Sequence, residues 1–191
     1  MTRDPQAQPR PAVFFDRDGV VNVSPGPGYV LSWEAFQISP GLFDLLRDVH
    51  RQGWLAIIVT SQKGVGKNLM TQADLDEIHA NLQSTLRNGI GSGFDGIYAY
   101  TGTPDCPHRP KPDPEMILTA AREWNIDVKR SWLIGDADRD IEMAVSAGIE
   151  HTIRVRGDNP IGFPATHTVD SLAEALAILT RHWSVDGKAP D

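Results

Sequence analysis

Apolar residues along this chain fall into two kinds of run that take turns. The first kind is short and continuous. Ala12–Asp16 (AVFFD), Trp54–Thr60 (WLAIIVT), Phe94–Tyr100, Ser131–Ile134 and Ile149–Val155 have strand length. The second of these is rich in β-branched residues and suits a central strand covered on both faces. Between them the spacing changes to that of a helix. Leu42, Leu45, Leu46 and Val49 mark one face after Pro40 and before Gly53. Thr71 stands as the N-cap of a longer helix carrying Leu75, Ile78, Leu82 and Leu86. Pro114 opens a helix that runs to about Trp124, and Asp138–Ala147 forms another, ended by Gly148. Asp170 is placed to cap a last helix with Leu172, Leu176 and Leu179 on its apolar face. Strands alternating with helices predict right-handed βαβ units. The expected fold is a three-layer α/β sandwich around a central parallel sheet.

The pattern fades in four places. Met1–Pro11 is rich in Pro, Gln and Arg, so 1–11 reads as a disordered tail. Residues 12–183 form the predicted domain, and 184–191 a loose C-terminal tail. Ser24–Trp33 (SPGPGYVLSW) and the Pro-punctuated Thr101–Pro112 are loops. No internal repeat is visible. Neither Asp18–Pro40 nor the stretch between Gln62 and Pro110 leaves room for a large cap domain.

Composition narrows the function classes. The 191 residues fit one domain, and 40% hydrophobic with 23% charged residues is ordinary for a globular protein. A formal net charge of -7 argues against nucleic acid as a partner, and any anionic substrate has to be met by local cations. The single cysteine, Cys106, excludes an internal disulfide and suits a reducing compartment. No stretch approaches a membrane span and no apolar leader is visible, so the expectation is a cytoplasmic protein with no membrane partner, either monomer or homodimer.

Four short motifs carry the chemistry: FFDRDG at Phe14–Gly19, VTSQ at Val59–Gln62, PKPDP at Pro110–Pro114 and GDADRD at Gly135–Asp140. The first, second and fourth follow apolar runs, which places them at the carboxyl edge of the sheet, where the ligand crevice of such folds lies. Together they supply several carboxylates, a lysine and two hydroxyls. That is the chemistry of a magnesium-dependent phosphoryl-transfer site. Asp16, ionised at neutral pH, can attack phosphorus and form an aspartyl phosphate. Asp18, two residues on, can protonate a leaving alkoxide and then deprotonate a water. An ordinary acidic turn after a strand gives the same Asp-x-Asp-Gly pattern. Mg²⁺ takes hard oxygen ligands, and Asp16, Asp136 and the Asp18 backbone carbonyl are candidates, with Asp140 a ligand or a support behind them. The preference of helix N-termini for acidic residues accounts for Asp138 and bears on Asp140, but explains Asp136 less well. Thr60 and Ser61 can hold a phosphate oxygen, or they simply end a strand. Lys111, held between prolines, can neutralise charge shared by nucleophile and phosphoryl group. Lys63–Lys67 (KGVGK) lacks the spacing of a nucleotide-binding phosphate loop. Cys106 and His108 offer too few ligands for structural zinc.

The order and spacing of the four motifs resemble those of the haloacid dehalogenase superfamily. FFDRDGVVN, Gly28-Tyr29-Val30, VTSQ, RPKPDPEM, GDADRD and Val155-Arg156-Gly157 resemble its histidinol-phosphate phosphatase and D,D-heptose 1,7-bisphosphate phosphatase subfamily. That resemblance implies a Rossmann-like, capless, Mg²⁺-dependent phosphomonoesterase. It implies Asp16 as nucleophile, Asp18 as acid/base, Thr60 and Lys111 as phosphate holders and Asp136 as a magnesium ligand. It extends to Tyr29 lying over the substrate, and to Ser61, Gln62 and Arg109 contacting it. The implied substrate is a small sugar phosphate, heptose bisphosphate ahead of histidinol phosphate. The second acid of the first motif favours a phosphatase over a dehalogenase or a transport ATPase. The chain departs from the subfamily in three places. Ser61 replaces a frequent Asn, Cys106-Pro107-His108 is all that remains of a metal-binding loop, and Pro110 separates Arg109 from Lys111. A capless phosphatase of broader specificity, a phosphotransferase, and a non-catalytic phosphate-binding protein on the same fold stand as alternatives.

Overall fold

Successive strand residues face opposite sides of a sheet, so an apolar strand without polar alternation has to be covered on both faces. The computed structural model describes residues 8–157 and 159–185. All five predicted strands are present: β1 (Ala12–Phe15), β2 (Leu55–Ser61), β3 (Gly96–Tyr100), β4 (Trp132–Gly135) and β5 (His151–Val155). A sixth, β6 (His167–Val169), completes a parallel sheet of order β3-β2-β1-β4-β5-β6. Val13, Phe15, Ala56, Ile58 and Ile134 meet α1 (Leu42–Arg51), α2 (Gln72–Ile90) and α5 (Leu172–Val185) in one core. Phe14, Leu55, Ile57, Val59 and Leu133 meet α3 (Glu115–Trp124) and α4 (Asp138–Ala147) in the other. The result is the expected three-layer sandwich. Truncating any of these fully buried Leu or Ile residues to Ala costs roughly 2–5 kcal/mol.

Several boundaries differ from the expected ones. Arg10 and Pro11, expected in the tail, are tied to the folded unit. The Arg10 N–H donates to the Asn125 carbonyl at 3.0 Å, and the Pro11 carbonyl accepts the Leu55 N–H at 3.0 Å. At the other end α5 runs through Val185, so Ser184 and Val185 are helical rather than tail. The remainder of both expected tails, 1–7 and 186–191, lies outside the described residues. Ser171, not Asp170, caps α5: its hydroxyl accepts the Glu174 N–H at 3.3 Å, while the Glu174 carboxylate accepts the Asp170 N–H at 3.0 Å. Thr71 caps α2 as expected, in a reciprocal pair with Asp74. β6 escaped prediction because three residues, two of them exposed, carry no readable period.

The topology sets the site. β1 is central: the chain steps from it to β2 and β3 on one side, then returns as β4 on the other. Phe15 lies in register with Ile58 and with Ile134. Asp16 therefore emerges between the carboxyl ends of β2 and β4, where the strand order reverses and a crevice opens. From Gly19 to Ser39 the described chain forms no helix, only isolated bridges of Asn22 with Asp18 and Ile38, so no cap domain covers that crevice. Among the described residues no helix is long and apolar enough to cross a membrane.

Candidate active site

Asp16 leaves the end of β1 with its N–H bonded to the Ile134 carbonyl at 2.9 Å, which locks its backbone to β4. Its carboxylate meets Lys111 Nζ at 2.6 Å, and the same ammonium meets Asp140 Oδ1 at 2.7 Å. The lysine side chain is only 1% exposed, so this is a desolvated triad rather than a surface pair. Asp140, in the first turn of α4, spends its other oxygen on the Asp136 and Ala137 N–H groups at 3.2 and 2.9 Å. It fastens both the lysine and the loop after β4. Two glycines permit this density. A Cβ at Gly19 would lie 2.4 Å from Asp136 Oδ2, and one at Gly135 would lie 2.4 Å from Asp140 Cβ.

Electrostatics follow from burial and charge count. Burial, reinforced by the charge of Asp140 and opposed by Lys111, pushes the Asp16 carboxyl up to about 7. Burial and Asp140 likewise push Asp136 up to about 6. Burial alone would lower the Lys111 ammonium, but Asp140 and Asp16 outweigh it and hold it above the usual lysine range. Three buried carboxylates thus share one ammonium, two positive charges short of balance when all are ionised. One oxygen each from Asp16, Asp136 and Asp140 lies within 4.8 Å of the others. Asp136 Oδ1 is buried and has no partner among the described residues. Hard, anionic, converging oxygens with an unpaired lone-pair donor fit a divalent cation.

Asp18 sits beside this cluster on a cradle of donors. Arg17 donates to Asp18 Oδ1 through Nε at 3.1 Å and Nη2 at 2.8 Å, Asn22 donates to the same oxygen at 3.0 Å, and Gln62 donates to Oδ2 at 2.9 Å. Burial would raise this carboxyl, but the Arg17 guanidinium and the hydrogen bonds outweigh it and hold it below the usual carboxylate range. Arg17 and Asn22 are themselves fully buried. Sequence reasoning passed over Arg17, inside the first motif, and Asn22, three residues beyond it. An arginine after a strand end reads as solvated until its burial is known.

A cavity of about 520 Å³ opens over the cluster and is lined by Asp18, Ser61, Lys111, Asp136 and the Ser24–Tyr29 loop. Tyr29, at the end of that loop, is among the residues lining the cavity. Thr60 and Gln62 do not line it. Thr60 is buried and its hydroxyl accepts a bond from Gln62 at 2.9 Å. Gln62 is directed at Asp18 and Thr60 instead, its amide NH2 donating to both. Arg109 does not line the cavity either: its side chain is 72% exposed and pairs with Asp113 at 3.3 Å. Lys63, Lys67 and Arg139 line the cavity instead and form no ion pair with another described residue. Lys67 lies over the Tyr29 ring, 5.3 Å from its centroid. Cys106 and His108 are occupied separately, the thiol with the Thr101 N–H and the Ala99 carbonyl, the imidazole with Glu115 at 3.1 Å.

Known proteins resemble this chain over most of its length. The model of the haloacid dehalogenase-like hydrolases matches residues 27–148. The chain is 34% identical over 155 residues to D-glycero-beta-D-manno-heptose-1,7-bisphosphate 7-phosphatase of Helicobacter pylori strain J99, covering 80% of this chain and 87% of that protein. It is 31% identical over 183 residues to the protein of the same name in Escherichia coli K12, covering 88% and 91%. Among solved structures, D,D-heptose 1,7-bisphosphate phosphatase from B. bronchiseptica, complexed with magnesium and phosphate, superposes with a TM-score of 0.77 at 26% identity, covering 90% of this chain and 99% of that one.

Proposed function

The chain belongs to the haloacid dehalogenase-like hydrolases, and from that premise we propose that it is a Mg²⁺-dependent phosphatase removing the 7-phosphate of D-glycero-β-D-manno-heptose 1,7-bisphosphate. The observation that carries the reading is the convergence of Asp16, Lys111, Asp136 and Asp140 in one cluster, of which Lys111 and Asp136, with Asp18, line the cavity above. Bound Mg²⁺, held by Asp16 and Asp136 with the Asp18 backbone carbonyl, would neutralise the phosphoryl oxygens and keep the buried carboxylates ionised. Asp16 attacks phosphorus, a P–O(Asp) bond forms, and the bond to the sugar oxygen breaks. Asp18 gives its proton to that leaving oxygen. It then takes a proton from the water that attacks the aspartyl phosphate, and inorganic phosphate departs.

The electrostatics match these roles. Asp18 is ionised in the free protein, ready to act as the base. An incoming phosphate dianion, by its charge, raises the carboxyl toward the acid form that the first step needs. Lys111 holds Asp16 in place and offsets charge as the phosphoryl group moves. Ser61 holds a phosphate oxygen at the cavity wall, and Thr60 acts from beneath by fixing Gln62 against Asp18. The case for a bisphosphate rests on Lys63, Lys67 and Arg139, three cations at the mouth of one cavity in a protein of net charge -7. They supply the local positive field that a second phosphate needs. The lone cysteine favours a cytoplasmic setting.

Phosphate release from the heptose bisphosphate and from histidinol phosphate, each with Mg²⁺, tests the proposal. The expected result is one equivalent of phosphate per bisphosphate, leaving the 1-phosphate, and a much lower kcat/KM for histidinol phosphate. A preference for histidinol phosphate would overturn the substrate, and no release from either would overturn the phosphatase.

A further inference from the structure

Asp136 has a partner that none of the four motifs contains. Asn159 stands 23 residues beyond it, in the loop between β5 and β6, and its Nδ2 donates to Asp136 Oδ2 at 2.9 Å. The other oxygen, Oδ1, is the buried one without a partner among the described residues. A carboxylate tethered through one oxygen cannot turn freely, so the tether decides where the other oxygen sits.

The loop that carries Asn159 is itself fastened. Arg154, in β5, is fully enclosed, with its side chain 1% exposed. One of its nitrogens pairs with Asp138 in the first turn of α4, and another donates to the Pro160 carbonyl at 2.9 Å. Asp138 in turn accepts the Gly162 N–H, at 3.0 Å through Oδ2. A Cβ at Gly162 would lie 2.8 Å from that carboxylate oxygen, so the approach is close. A guanidinium inside a sheet is costly unless its donors are met. Here they are met by the residue next to Asn159 and by the helix that follows Asp136. The loop and the strand-end motif are held together as one unit.

We infer that Asn159 is a positioning residue for the cation-holding carboxylate of Asp136, and that the Arg154–Asp138 pair holds the loop that delivers it. The inference rests on the reading of Asp136 as a metal ligand. Hydrogen bonds from behind a ligand of this kind are typically worth about 10- to 100-fold in metal affinity.

The test is Mg²⁺ titrated calorimetrically into chelator-stripped wild type, Asn159→Ala, Arg154→Gln and the double variant, with Tm in chelator as the folding control. Wild type that binds no Mg²⁺ would defeat the metal reading itself, and with it the proposed function. Given wild-type binding, Asn159→Ala should weaken it about tenfold or more, with kcat largely recovered at saturating Mg²⁺. Arg154→Gln should weaken it as well, and the double variant should be no worse than Asn159→Ala, because Arg154 acts through Asn159. Unchanged affinity in Asn159→Ala overturns the inference. Additive losses in the double variant overturn the part assigned to Arg154. If Arg154→Gln fails to fold, Asp138→Ala cuts the same loop from its partly exposed side and is held to the same non-additivity.

Discussion

Replacing Lys111 by Met keeps the side-chain volume and removes the cation that bridges Asp16 and Asp140. The ammonium lies 2.6 Å from Asp16 Oδ1 and 2.7 Å from Asp140 Oδ1, with 1% of its side chain exposed. Taking one partner out of a buried ion pair costs about 3–5 kcal/mol, because the remaining charges are left desolvated and unpaired. The cost depends on pH, and its sign can be worked out. Asp16 titrates near 7 in the metal-free protein even though Lys111 pulls it down, so without Lys111 it moves higher. A carboxyl whose folded pKa is raised above its unfolded value is stabilising at low pH, and that stability is lost as pH rises through the folded pKa. Each pH unit over which the variant holds one proton more than wild type is worth about 1.4 kcal/mol. The gap between variant and wild type should therefore widen by about 1–2 kcal/mol between pH 6 and pH 8. Urea unfolding of both proteins in chelator at the two pH values measures this directly. Turnover should fall by about 10²–10³-fold, the scale of losing one charge-stabilising donor. A stability gap that is equal at both pH values, or a variant that keeps near wild-type turnover, would refute the reasoning.

Three further predictions separate the roles assigned around the cavity. Arg139→Ala and Lys63→Ala should each raise KM for the heptose bisphosphate about 10- to 100-fold, since a charge-assisted hydrogen bond is worth about 1.5–3 kcal/mol, while KM for a small aryl monophosphate stays put; equal effects on both substrates would deny them a second phosphate. Gln62→Leu removes a donor from Asp18 Oδ2 without opening the cavity, so kcat should fall with KM unchanged, and the limb of the pH profile that reports Asp18 should move up; a pure KM effect would return Gln62 to the substrate. Arg109→Ala should leave kcat/KM within about twofold of wild type, because the side chain is spent on a solvent-exposed pair with Asp113 of the kind worth about 0–1 kcal/mol.

How much of this was legible in the sequence depends on where each residue sits relative to a period. Asp16 and Asp136 end apolar strands, so parallel pairing alone brings them to one sheet edge. Lys111 was legible from its rigid proline flanks and from the company of the other motifs. Asp140 was legible as part of the cluster, but its task of fastening Lys111 to the Asp136 loop depends on side-chain rotamers. Gln62 follows β2 next to Ser61, yet one faces Asp18 and the other the cavity, a distinction set by the chain's turn and not by composition. Asn159 had no signal at all. It lies in a Gly- and Pro-rich loop, and its value comes from a buried Arg154 whose burial no pattern announces. Arg109 is the opposite case: the resemblance placed a cation just before Lys111, and here Pro110 intervenes and the side chain pairs with Asp113 at the surface.

In the proposed reaction the Asp16 side chain itself carries the phosphoryl group between the two half-reactions. Acid quenching of the protein mixed with excess heptose bisphosphate and Mg²⁺, followed by peptide mass analysis, tests it most directly. The peptide spanning Val13–Gly19 should gain the mass of one phosphoryl group, hydroxylamine should remove it, and Asp16→Asn should show neither adduct nor turnover. Full turnover with Asp16→Asn, or a phosphoryl adduct on a residue other than Asp16, would contradict it.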